Sequence, residues 1–308
     1  MSKNIIESFV FQGTVLFLFI FLAFFSSAVG LYNSVDAPQF FTTESILNFR
    51  DFDISHFSNS PFYYTEPDVF YRNDHTYNIR GYMVSVLSIP LHWVSKALHS
   101  FYNTSWFDAQ LHSVTDFSYP LAVTSLFPVF SIIGLYFFWK TAKEVGTDAS
   151  ATITTLILAF GTYIWKYTNT YSRLGVDVAI LGISFYLFHK SFSTKNFKYS
   201  FLLLVMIAIA FGVDTILFLS LLPALIWSFI KVFSKQKLPS KQQSVLLSIP
   251  IVLIGAIIGV NKYVYNSYIS IQTLQQPIVK QALQENARKA WMSTPLYPTL
   301  YCVLFCAG

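Results

Sequence analysis

The 308 residues are 54% hydrophobic and only 11% charged, with a mean hydropathy of +0.50 and a formal net charge of +5. Soluble domains carry about 25% charged residues, so this chain has too little charge to cover a soluble surface. The positive charge falls in short loops between apolar runs, where it reads as a membrane-topology signal and not as a nucleic-acid footprint, and Cys302 and Cys306, four apart in an apolar segment, imply no disulfide or zinc framework.

The apolar residues fall in runs near the roughly 20 residues that cross a bilayer core. With no water inside the core, such runs must satisfy their backbone internally as helices. The first run is Phe9 to Leu31. Ser27-Ala28-Val29-Gly30 faintly resembles a signal-peptidase site, but the run is longer than a usual signal core and further spans follow, so it reads as an uncleaved helix. Tyr32 to Asp116 is a long loop rich in Tyr and Phe, with Asp36, Glu44, Asp51, Asp53, Glu66, Asp68 and Asp74. Within it, Gly81–Leu98 is apolar enough to invite assignment as a span.

Further spans are expected at Phe117–Trp139, Ala149–Tyr167, Leu174–Phe188, Tyr199–Gly212, Thr215–Phe229 and Val245–Val264. A polar stretch from Tyr265 to Pro295 and a partial apolar run, Leu296–Gly308, complete the chain. The sequence stops in mid-segment and reads as the N-terminal part of a longer product.

The lysines decide the status of Gly81–Leu98. If it does not span and the N-terminus is cytoplasmic, three lysine-bearing loops are cytoplasmic: Lys140 and Lys143; Lys190, Lys195 and Lys198; and Lys231, Lys235, Lys237 and Lys241. Only Lys166 and Arg173 run against the trend. If it spans, every later loop inverts. Short cytoplasmic loops carry the excess of Lys and Arg, so the first topology is preferred. Gly81–Leu98 is then an in-plane helix on the outer face, with Pro90, His92, Trp93, Lys96 and His99 suited to headgroups. The expected fold is an all-α polytopic protein of the cell membrane, with about seven transmembrane helices plus a partial eighth. Residues 32–116 form a large outer loop, which at such a length calls for a function.

Asp36 is the first candidate for chemistry. Held at the membrane surface by a helix end, it can act as a general base or hold a divalent cation against a lipid phosphate. The structural alternative is an N-cap for a helix starting near Ala37, with Pro38 in its first turn, and the two roles can coexist. Arg72, Arg80, Lys166 and Arg173 are the outer cations that can stabilise a phosphate leaving group, snorkelling being the alternative. Asp177 and Asp214 are acids near or inside helix ends. No pair among His56, His75, His92 and His99 has a defensible metal-ligand spacing; His92 and His99 are expected at the interface. Phe62-Tyr63-Tyr64, Phe70-Tyr71 and Tyr77 can stack on sugars or isoprenoids, or form an interfacial belt. Asn103-Thr104-Ser105 is a glycosylation sequon.

The order of these features resembles the GT-C superfamily of membrane glycosyltransferases, nearest the group related to protein O-mannosyltransferases and aminoarabinose transferases. Four stretches carry the likeness: Ser34–Phe41 with Glu44-Ser45-Ile46-Leu47; Tyr77 to Pro90; Leu158–Tyr167, with its Phe-Gly-Thr-x-x-Trp-x-Tyr pattern; and Tyr265-Asn266 with Ser293-Thr294-Pro295 through Leu304-Phe305. Each alone is weak, but their order covers nearly the whole chain. The resemblance implies a polyprenyl-phosphate-linked sugar as donor, membrane lipids as surroundings, Asp36 as base or metal-associated acid, and outer-loop helices roofing a cavity. The chain departs from the pattern at Ala37, where relatives often carry a second acid, and at Arg173-Leu174, where they often have a Glu-Pro-like pair; Asp177 is the acid that remains. Those departures favour a second reading, a non-catalytic assembly or lipid-carrier-binding protein of the same fold. A transporter fits less well, because matched repeats are missing.

Overall fold

The computed structural model describes residues 3–27, 36–58, 69–102, 115–168, 170–194, 196–234 and 241–267. The sequon, the Phe62–Tyr64 aromatics and the segment beyond Ser267, including the partial apolar run, lie outside the described residues. The protein is mostly helical. Among the described residues, three helical stretches are long and apolar enough to cross a membrane: Ala122–Val145, Arg173–Ser193 and Leu247–Tyr265.

The centre of the bundle is a helix pair, α5 (Pro128–Val145) against α8 (Arg173–Ser193). Their closeness is set by glycine. A Cβ on Gly134 would collide with the Val178 carbonyl, and one on Gly182 would collide with the backbone of Gly134 itself. Ser131 and Gly175 continue the same seam toward one end. Lipid tails are as apolar as the helices, so close backbone approach through small residues is what holds such a pair together. On the other side of α8 packs α9 (Phe197–Val213), and α12 (Lys241–Tyr265) packs on α9. α1 (Lys3–Ser26) and α6 (Asp148–Phe160) lie against α5. Phe24 is fully buried between Phe160 and Trp165.

Three of the expected spans carry a local break in the helical ladder, the first of them staying helical through Phe127. Phe117–Trp139 is α4 (Thr115–Leu126) followed by α5, because Pro128 has no N–H to carry the ladder across Phe127. Ala149–Tyr167 is α6 followed by α7 (Tyr163–Thr168), broken at Gly161 and Thr162. There the Thr162 hydroxyl donates to the Leu158 carbonyl at 2.6 Å and accepts from the Ile164 N–H. Thr215–Phe229 is α10 (Thr215–Ser220) and α11 (Leu222–Ser234), with Pro223 in the first turn of the second. The other helix starts follow ordinary capping: Thr147 and Ser150 form a capping box on α6, Ser172 accepts from Leu174 N–H at α8, and Asn196 accepts from Lys198 N–H at α9.

The region expected as the outer loop folds against one end of this bundle. It contains α2 (Asp36–Asn48), a hairpin of β1 (Val69–Arg72) and β2 (His75–Asn78), and α3 (Met83–Tyr102). The hairpin turns at Asn73 and Asp74, both at positive φ, as a two-residue turn requires. α3 runs across the ends of α8 and α9. Met83 lies against Gly212 near the end of α9, while Ser88 and His92 reach Tyr171 just before α8. Its polarity is inverted relative to a soluble helix: Ser85, Ser88, His92 and Ser95 are buried, whereas Val86, Trp93, Val94 and Leu98 are exposed, Trp93 at 61%. Such a face is stable against lipid and not against water.

The α5–α8 seam makes a direct prediction. Gly134→Val should lower the unfolding midpoint in detergent by the equivalent of about 1–3 kcal/mol or more, since the overpacked atom meets backbone. Gly255→Ala in α12, where an added Cβ meets nothing within 4 Å, should leave the midpoint unchanged or slightly raised.

Candidate functional site

The polar side of α2 and α3 is the most developed buried polar cluster among the described residues. α2 is almost wholly buried from Ala37 to Ser45 despite carrying Gln39, Thr42, Thr43, Glu44 and Ser45. Burying a carboxylate is costly unless charge and hydrogen bonds compensate it. Glu44 is compensated fully. Its Oε1 accepts from His92 Nδ1 at 2.6 Å and from the Tyr119 hydroxyl at 2.6 Å. Its Oε2 accepts from Asn48 Nδ2 at 3.0 Å and pairs with Lys96 Nζ at 3.1 Å. Burial pushes the carboxyl upward; the bonds from His92 and Tyr119 and the nearby positive charge outweigh it and hold Glu44 at about 2.

His92 is completely buried, and burial pushes its pKa down against the pull of Glu44. Burial thus favours the neutral ring, with its proton on Nδ1 facing the carboxylate. Nε2 is then an acceptor, and the Tyr171 hydroxyl, 3.0 Å away, donates to it. The Tyr171 oxygen in turn lies 2.8 Å from Thr43 Oγ1 and in contact with Ser88 Oγ, either of which can donate to it. A chain Glu44–His92–Tyr171–Thr43/Ser88 thus ties α2, α3, α4 and the entry to α8 together. With His92 and Tyr171 both at 0% exposure, no substrate touches the imidazole, so the chain positions α2. Lys96, its side chain 40% exposed, is where the network meets the surface.

The C-terminal end of α2 is also held by a second set. Ser45 Oγ donates to Asp51 Oδ1 at 2.5 Å, and its contact with the Asp53 carbonyl is 2.6 Å. Asp53 accepts from the Ser55 and Thr76 N–H groups and from His75 Nδ1 at 2.6 Å. Burial raises this carboxyl, but the Ser55, His75 and Thr76 bonds reverse it and hold it below its ordinary value. These bonds fasten the hairpin to the α2 exit. Gln39, one turn before Thr43 on α2, stands out. It is fully buried, its carbonyl accepts from Ser85 Oγ and Thr43 Oγ1, and its side-chain amide has no hydrogen-bond partner.

The sequence candidates separate on this frame. Asp36 is the first residue of α2, and its Cα lies on the helix face that also carries Thr43; its side chain is outside the described residues, as are those of Lys166 and His99. Arg72 caps α12: its Nη1 donates to the Tyr263 and Val264 carbonyls at 3.0 and 3.1 Å, satisfying groups that a helix end leaves open. Arg80 lies in the turn into α3 and precedes the helix; its N–H donates to Asn78 Oδ1, and Gly81 takes φ +87°. Arg173 and Asp177 do come together, but with Asp214: the guanidinium is 3.4 Å from each carboxylate. Two acids on one cation leave that trio net negative, which opposes a phosphate there. Asp177 Oδ1 has no hydrogen-bond partner. His92, expected among headgroups, faces inward instead because Glu44 needs its proton.

Glu44 and His92 were legible as residues but not as a pair, since they lie 48 apart with a hairpin between. Tyr171 carried no signal at all. Among the described residues, no group of three or more His, Cys, Asp or Glu side chains converges as a metal-ligand set.

The Glu44 shift sets an acid limb. A depressed carboxyl stabilises the fold above its unfolded value of 4.5 and loses that contribution as pH falls toward about 2. About 3 kcal/mol is at stake for this shift. Glu44→Gln should therefore unfold more easily than wild type at pH 7, with the gap closing between pH 4.5 and 2. A thermal-melt series in detergent checks this; a gap independent of pH contradicts it.

Compared with known proteins, the chain matches no family model, no curated protein and no solved structure.

Proposed function

We propose that this chain is a membrane glycosyltransferase of GT-C type, moving a sugar from a polyprenyl-phosphate donor to an acceptor hydroxyl at the outer membrane face. In this reading it crosses the cell membrane about seven times with its N-terminus in the cytoplasm, and residues 32–116 stand outside. One observation carries it: a clamped helix, α2, starting at an acid, is laid with α3 over the ends of α8 and α9, and α3 turns an apolar face outward. A base held at the bilayer surface on a rigid element is what transfer from a lipid-linked donor requires.

In the reaction, the Asp36 carboxylate takes the proton of the acceptor hydroxyl. The acceptor oxygen bonds to the anomeric carbon as the bond from that carbon to the polyprenyl phosphate breaks, and the electron pair leaves with the phosphate. Arg80, Lys166 or a divalent cation stabilises that developing charge. Arg72 and Arg173, already given to the α12 carbonyls and to two carboxylates, contribute less.

Those two engaged arginines favour the second reading, a protein of the same fold that binds the lipid carrier without transfer. Sugar transfer from a polyprenyl-phosphate donor by the full gene product, wild type against Asp36→Asn, separates the two. The enzyme reading predicts turnover reduced at least 100-fold in the variant with donor binding retained. Donor binding without transfer by wild type establishes the second reading, and equal turnover by both proteins removes Asp36 from the chemistry.

A further inference from the structure

The far end of the bundle from α2 and α3 holds a groove of about 790 Å³ between α1 and α5. Its walls are Gly13, Phe17, Leu18 and Phe21 from α1 and Tyr136 and Trp139 from α5. Gly13 shapes it: a Cβ there would stand 3.0 Å from the Trp139 ring and crowd the indole that forms the wall. The neighbouring face of α1 is strongly apolar and exposed, with Leu18 at 53% and Phe19 at 58%. A groove framed by such a face opens to lipid, and an apolar chain from the bilayer can enter it sideways.

The mouth is charged in an ordered way. It is lined by Lys140, Lys143, Glu144 and Asp148. Both acids are already answered: Glu144 pairs with Lys190 at 2.6 Å and His189 at 3.1 Å, and Asp148 pairs with Lys143 at 3.2 Å. Lys140 has no carboxylate partner among the described residues, and its ammonium lies over the Tyr186 ring at 4.9 Å. Among the described residues, one positive charge thus has no carboxylate where the apolar groove meets the polar end, flanked by aromatics suited to a headgroup boundary.

We infer that this groove is a binding site for one anionic phospholipid, its acyl chain along Phe17 and Phe21 and its phosphate at Lys140. The volume lies within the usual range for a single ligand site, and the lysine-rich ends of membrane proteins face the leaflet that carries anionic lipid. This site is separate from the α2–α3 cluster and does not depend on the transfer reaction.

Native mass spectrometry of the purified full gene product tests it, with phosphatidylglycerol and phosphatidylcholine titrated in the same detergent. Wild type should retain one phosphatidylglycerol at least fivefold better than phosphatidylcholine. Lys140→Gln should abolish the preference, whereas Lys198→Gln, at an exposed lysine of the same bundle end, should keep it. Gly13→Leu, which fills the groove, should reduce retention of both lipids. Equal retention of the two lipids by wild type overturns the inference, as does an unchanged preference in Lys140→Gln; the latter variant leaves the groove packing intact and stands even if Gly13→Leu does not fold.

Discussion

The arrangement at the site end of this protein depends on one buried carboxylate. Glu44 sits in a helix that is almost fully enclosed, where an unpaired charge would cost several kcal/mol. Its two oxygens are answered by His92, Tyr119, Asn48 and Lys96, which come from α2 itself, α3 and α4. Removing any one donor leaves a buried acceptor short, so the three helices are bound to one geometry. His92 passes the constraint on to Tyr171, and through it to the start of α8. What the network positions is α2, and with it the backbone of Asp36 at its first turn.

The same constraint explains the inverted amphipathicity of α3. Ser88 and His92 turn inward because the hydroxyls of Thr43 and Tyr171 and the Glu44 carboxylate are there, and Ser85 does so to donate to the Gln39 carbonyl. Val86, Trp93, Val94 and Leu98 are consequently left outside. In water this would be an aggregation face; against a bilayer it is an anchor. At the bundle centre the constraint is of a different kind. Gly134 and Gly182 permit helix axes to approach until backbone meets backbone, and substitution there is resisted by carbonyls that cannot move aside. Beside the bundle end, α12 runs eight residues past the level of Ile257, where Tyr82 bonds its carbonyl, and the hairpin closes it through Arg72 and the Tyr265 hydroxyl.

Much of the helical frame was legible in the sequence because run length is a local property. The expected Leu174–Phe188 and Val245–Val264 are continuous helices whose ends were only extended, and Gly81–Leu98 became α3 with a shift of two residues at its start. The interruptions at Pro128, Gly161 and Pro223 were visible as residues but cannot be told in advance from tolerated kinks. The hairpin had a signal, Asn73-Asp74 between the short segments Val69–Arg72 and His75–Asn78, which the aromatic richness of the loop obscured. The site was far less legible. A lone Glu and a lone His say nothing of each other across a folded loop, and Arg173 looks like a free cation until Asp214, from the end of another helix, is brought beside it. Long-range pairing is a property of the packed chain, and a single sequence does not display it.

This buried polar chain clamps α2 face to face on α3. Thr43 and Ser88, whose oxygens stand 3.1 Å apart, report on it most directly. With Cys302 and Cys306 replaced by serine, a Thr43→Cys, Ser88→Cys protein should cross-link nearly completely within one chain on mild oxidation in the membrane, and retain the bridge through purification. A protein that folds and inserts but stays reduced at both positions would show that α2 and α3 are not clamped there.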